Sequence, residues 1–166
     1  SVSYENDWQL SYANDGFEVE QLLYSSLYNR LFGLSSEQLM YWDVSGEIPQ
    51  IHTETWMGGT GVAIHRTNEQ EYIALLSNSA LHWFSHQNSG LEMLSSIEHE
   101  ELEDAKNMVI SPDGDIYIAG FLNNSIHHFT WNGAELQHRG DVRDHPGLDR
   151  VDSLALHPDG TLFAGG

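Results

Sequence analysis

The chain has 166 residues, 40% hydrophobic and 11% aromatic, which suits one domain with a real core and excludes a disordered chain. Its 25 acidic side chains against 6 basic ones repel phosphate backbones, so no nucleic-acid partner is expected. No apolar run is long enough for a membrane span, and without cysteine there are no disulfides or thiolate metal sites.

In chain order, Val2–Tyr4 and Trp8–Tyr12 read as two short strands, and Asn14-Asp15-Gly16 breaks the pattern. Leu22–Tyr24, Leu31–Leu34 and Leu39–Trp42 follow as three strands, with Ile48–Thr55 as a fourth. The pattern restarts with Val62–Ile64, Tyr72–Leu76, Leu81–Phe84 and Leu91–Ile97. It restarts again with Met108–Ile110, Ile116–Ala119, Ile126–Phe129 and Ala134–Arg139. Polar loops at Glu98–Asp104 and Asp141–Val151 are expected to enter the next units. No segment has helical periodicity.

Two stretches fix the repeat. Met108-Val109-Ile110-Ser111-Pro112-Asp113-Gly114 returns as Leu154-Ala155-Leu156-His157-Pro158-Asp159-Gly160, 46 residues later, and each is followed by a second apolar run. The Pro-Asp-Gly turn supplies the fixed and positive φ values of a hairpin. A hairpin period in the forties marks a propeller blade. The expected fold is therefore all-β: one propeller domain or segment of four-stranded antiparallel blades, about three and a half of them. Blades should start near residues 18, 59, 105 and 151, with residues 1–14 as the outer strands of a split blade. Such an arc leaves a blade face and strand edges open. Further blades on the same chain, a second copy forming a homodimer, or the chain's own two ends would close the ring, and the first is favoured.

Asn107–Gly120 with Asn124–Phe129 resembles the six-bladed calcium-dependent propellers: the gluconolactonase and regucalcin group with its paraoxonase-arylesterase and strictosidine-synthase relatives. Val151–Gly160 is similar to their next blade, and Val19–Tyr24 with Asn29–Phe32 and Tyr41–Asp43 resembles their first. The repeats are also similar to those of bacterial lactonase-like propellers. The resemblance implies one Ca²⁺ in the central channel, polarising a lactone or ester carbonyl and activating water. Its ligands would precede the inner strands. Glu20, Thr60, Lys106 and Asp152 occupy that position here, spaced 40, 46 and 46. The implied metal ligands are Glu20, Asp152 and, one residue on, Asn107. Lys106 stands where that family has Asn, and an ammonium cannot ligate calcium.

The histidines divide by position. His82 and His127 share a third-strand position with Met40, so packing and hydrogen bonding are expected of them, with no metal. His65 and His157 sit at hairpin turns and are expected to cap them. His99-Glu100-Glu101 lacks the second histidine of a zinc-protease motif. His99 and His145, in rim loops, are candidate acid-base groups, and Lys106 is a third candidate catalytic residue. Two function classes follow. One is a calcium-dependent lactonase or arylesterase with a rim histidine as proton shuttle. The other is a non-enzymatic propeller that binds a ligand or protein through its rim loops. The sequence does not fix the compartment; the reading leans to a periplasmic or secreted protein.

Overall fold

A computed structural model describes residues 18–46, 50–51, 56–120, 122–143 and 145–166. The expected strands at Val2–Tyr4 and Trp8–Tyr12 lie outside this range. The architecture is the expected one: consecutive antiparallel sheets, with one three-residue 3-10 turn, Glu100–Leu102, as the helical element among the described residues. That turn is far too short to cross a membrane.

The first sheet is β1 (Gln21–Ser25), β2 (Arg30–Leu34), β3 (Gln38–Asp43), β4 (Gln50–Ile51) and β5 (Trp56–Met57), where β4 and β5 both pair with β3. The second is β6 (Gly61–Arg66), β7 (Glu71–Ser77), β8 (Ala80–Gln87) and β9 (Gly90–Glu98). The third is β10 (Asn107–Ile110), β11 (Asp115–Gly120), β12 (Ser125–Trp131) and β13 (Leu136–Arg143). The fourth has β14 (Ser153–Leu156) and β15 (Leu162–Gly165). Each sheet runs in chain order, so each is a meander. The first strands β1, β6, β10 and β14 are successive neighbours, which arranges the sheets as blades around a common inner edge.

The two Pro-Asp-Gly turns fold alike. Gly114 has φ +91° and Gly160 has φ +92°. Ser111 N donates to Asp115 O at 2.8 Å, and His157 N donates to Thr161 O at 2.8 Å. Glycine is needed there because a side chain at positive φ is strained.

The core lies between blades. Phe32, Leu34, Leu39 and Tyr41 pack against Ile73, Leu75 and Phe84. Ala74, Leu76, Leu81 and Trp83 pack against Met108, Ile116, Ile118 and Phe129. Ala119 and Ile126 meet Val151 and Leu154. Each middle blade is thus apolar on both faces, as a sheet held between two others must be.

Three local expectations change. β13 begins at Leu136, because Asn132 Oδ1 accepts from Ala134 N and Glu135 N, each at 2.8 Å, and holds those residues in the turn. β13 also runs on to Arg143, so Asp141 to Arg143 belong to a strand and not to a rim loop. His65 lies on β6, stacked on Tyr72 with ring centroids 6.2 Å apart, and does not cap a turn. His157 does cap its turn: its Nδ1 accepts from Asp159 N at 3.3 Å.

Candidate functional site

Three of the four residues before the inner strands, Glu20, Thr60 and Asp152, share one backbone geometry. Glu20 N donates to Leu34 O at 2.8 Å, Thr60 N to Leu76 O at 2.9 Å, and Asp152 N to Gly165 O at 3.0 Å. Each donation extends the ladder of a first and second strand by one rung. Matched offsets in the sequence therefore become matched places on successive blades.

Side chains at this end tie blade to blade. Gln21 Nε2 donates to Thr60 O at 2.8 Å, and Gln21 Oε1 accepts from Val62 N at 3.2 Å. Asn107 repeats the second contact two interfaces later, between the third and fourth blades: its Oδ1 accepts from Leu154 N at 3.1 Å. Thr60 Oγ1 donates to Ala105 O at 2.5 Å. Gly61 fills the same position between Gln21 and Asn107. A Cβ there would stand 2.7 Å from Lys106 O, so glycine lets the two backbones approach.

Between the third and fourth blades these elements enclose a cavity of about 270 Å³, lined by Lys106, Asn107, Ala119, Val151 and Asp152. Of these, Ala119 and Val151 are buried, and Lys106 and Asp152 are exposed. The cavity therefore combines apolar side chains with one cation and one carboxylate, the usual composition of a small-molecule site. Among the described residues, Glu20, His99 and His145 do not line it. His145 is exposed and its Nδ1 accepts from Gly147 N at 3.2 Å, a cap on its own turn. Gln21 went unnoticed in the sequence because it sits one residue beyond the position compared across blades.

Calcium takes six to eight oxygens. Of the implied ligands, Asn107 already spends its amide oxygen on Leu154 N, Glu20 is off the cavity, and Lys106 brings an ammonium to it. This donor set does not fit a calcium centre.

A second polar cluster lies away from the cavity, where the loop after β9 meets β12 and β13. His127 is fully buried; His82, its counterpart, is only partly so. His82 Nδ1 meets Ser96 Oγ at 3.0 Å, whereas His127 Nδ1 meets Asp141 Oδ1 at 2.6 Å. His138 Nε2 meets that same oxygen at 2.7 Å. Asp141 Oδ2 accepts from Arg143 at 2.6 Å, and Arg143 also donates to both Glu101 oxygens at 3.0 and 2.7 Å. His99 caps the 3-10 turn and packs its ring on those of His127 and His138, with centroids 4.9 and 4.8 Å away. Partial burial raises the Asp141 carboxyl, but hydrogen bonds from Arg143, His138 and His127 outweigh it and hold the group well below the ordinary range. Burial lowers His127, against the opposing pull of Asp141.

Comparison with solved structures identifies the architecture. The fold is a β-propeller. A component of a mitotic checkpoint complex structure matches with TM-score 0.70 at 19% identity, over 89% of this chain and 48% of that one. A protein from Bacteroides uniformis, provisionally assigned as a 6-phosphogluconolactonase, matches with TM-score 0.69 at 17% identity, over 86% and 46%. The periplasmic gluconolactonase of Pseudomonas aeruginosa matches with TM-score 0.62 at 15% identity, over 88% and 42%. The chain spans about half the length of the solved structures it matches. No protein-family model matches the chain, and no curated protein does.

Proposed function

We propose that this propeller binds and hydrolyses a small lactone or ester in the cavity between its third and fourth blades. The observation that carries the reading is that Lys106 and Asp152, at inner-strand ends, line one cavity together with buried Ala119 and Val151. Lactonase-named proteins among the propellers of similar structure support this substrate class. Lys106 donates a hydrogen bond to the substrate carbonyl oxygen and stabilises the negative charge that forms there. Asp152 accepts a proton from the attacking water. The water oxygen bonds to the carbonyl carbon, the ring C–O bond breaks, and the proton held by Asp152 passes to the leaving alkoxide. The product is the open hydroxy acid, which releases its carboxyl proton to solvent.

The test is a pH-stat assay on γ- and δ-lactones and aryl esters, with calcium and with chelator. Lys106→Met should lower kcat by about 10²–10³-fold and Asp152→Asn by about 10²–10⁴-fold. Both should retain the wild-type fold, since both side chains are exposed. Calcium should change nothing. Turnover that depends on calcium, or that survives both substitutions, would sink the reading. A ligand-binding propeller without catalysis is the second reading, favoured by the engagement of Asn107 in holding Leu154. Binding without turnover would select it.

A further inference from the structure

Blade three carries side chains that the repeat does not require. The second blade has His82, Met93 and Ser96 where the third has His127, His138 and Asp141. The same fold is thus built in the neighbouring blade with one histidine and no carboxylate. What the third blade gains is three imidazoles, His99 included, converging on one carboxylate.

A break in the strand produces that convergence. In a regular strand, residues three apart point to opposite faces. His138 and Asp141 are three apart and share one face, because the β12–β13 register shifts between His128 and Phe129. Gly140 opposes His128 and His138 opposes Phe129, so Arg139 is the extra residue. A bulge re-aims side chains in this way.

We propose that His99, His127, His138 and Asp141 form a tetrahedral zinc site that pins the loop after β9 to the outer strands of the third blade. One ligand atom from each lies within 4.8 Å of all the others. Donors around zinc at bond lengths of about 2.0–2.2 Å stand roughly 3.3 Å apart, within the range these atoms span. Three imidazoles and one carboxylate suit zinc, and too few oxygens converge for calcium or magnesium.

The surrounding groups favour ligation. His127 Nε2 lies 2.9 Å from Ser125 Oγ and 3.4 Å from Glu101 Oε2, so a proton on Nε2 has acceptors and Nδ1 is left for the metal. Asp141 Oδ1 faces the site while Arg143 fixes Oδ2 and Glu101 fixes Arg143. His99 supplies the fourth donor and trades away the long 3.3 Å contact between its Nδ1 and Glu101 N. His138 is partly exposed, which leaves the ion a way in. This site is separate from the cavity at Lys106 and stands or falls independently of hydrolysis.

The test is calorimetric titration of the metal-stripped chain with zinc chloride. One zinc per chain is expected, and the visible absorption of a cobalt-substituted sample should be that of tetrahedral Co²⁺. At about 100-fold excess over Kd, zinc should raise Tm by roughly 5–10 °C. His138→Gln and Asp141→Asn, at partly exposed positions, should keep the wild-type circular dichroism and weaken binding more than the roughly 10–100-fold expected for an outer partner such as Glu101→Gln. His145→Ala and His157→Ala should bind as wild type. No zinc uptake, uptake unchanged in His138→Gln and Asp141→Asn, or uptake lost in His145→Ala would each overturn the assignment.

Discussion

Glu71, His86 and Arg30 are buried, and together they join the first two blades. Arg30 Nη1 donates to His86 Nε2 at 3.0 Å, and His86 Nδ1 donates to Glu71 Oε1 at 2.6 Å. Arg30 has donors only, so the direction of the chain is set. Arg30 also donates to Gln87 O at 2.7 Å, so it is the buried His86 ring that loses most: removing Arg30 or the Glu71 charge deprives one of its two nitrogens of a charged partner. Arg30→Met and Glu71→Gln should each cost about 3–5 kcal/mol in urea unfolding. The double variant should cost less than the sum of the two, because the residues form one network. Additive losses would show that they act separately. None of this was legible in the sequence: the three residues come from different strands, and only the register brings them together.

Two other histidines couple stability to pH. Burial lowers the folded-state values of His65 and His82 below the ordinary 6.5, outweighing the hydrogen bonds their rings make to the backbone of Ser111 and Ser77. Unfolded chains therefore take up these protons before folded ones do. The contribution is present above about pH 6.5 and is lost as pH falls through the lower folded values. Tm should drop between pH 7.5 and 5.5, and the drop should shrink in His65→Phe. An unchanged drop in that variant would assign the effect to other groups.

At the scale of elements, what was legible was what is locally encoded. Pro-Asp-Gly turns, Asn-Gly turns and alternating apolar runs gave the hairpins, because φ preference and pleat act over a few residues. The bulge was not legible. Nothing in Gln137-His138-Arg139-Gly140-Asp141 announces an unpaired residue except Gly140, whose φ is +142°. The sequence reading therefore ended the strand at Arg139 and left Asp141 in a loop. It expected His127 to pack and hydrogen-bond but could not name its carboxylate partner, which comes from β13. The Cβ of Gly140→Ala meets no atom within 4 Å, so its cost should be backbone strain alone, about 1 kcal/mol in unfolding experiments. A much larger loss would mean that the side chain meets atoms this geometry does not place there.

For the molecule as a whole, the repeat placed Glu20, Thr60 and Asp152 at equivalent blade positions, and they are equivalent. It could not show that Asn107 faces Leu154, or that a pocket opens between the third and fourth blades, since both depend on how adjacent blades meet. The blade faces at the two ends of the arc carry exposed Leu22 and Tyr24 on one side and Phe163 on the other. These apolar surfaces fit an architecture in which blades pack face to face. Binding of the proposed hydrolysis product in the Lys106–Asp152 cavity is the most direct test of the proposed function, and methyl-labelled NMR titration with an open-chain hydroxy acid measures it. Saturable shifts are expected at the Ala119 and Val151 methyl groups, abolished in Lys106→Met. Shifts confined to other blades, or undiminished in Lys106→Met, would contradict it.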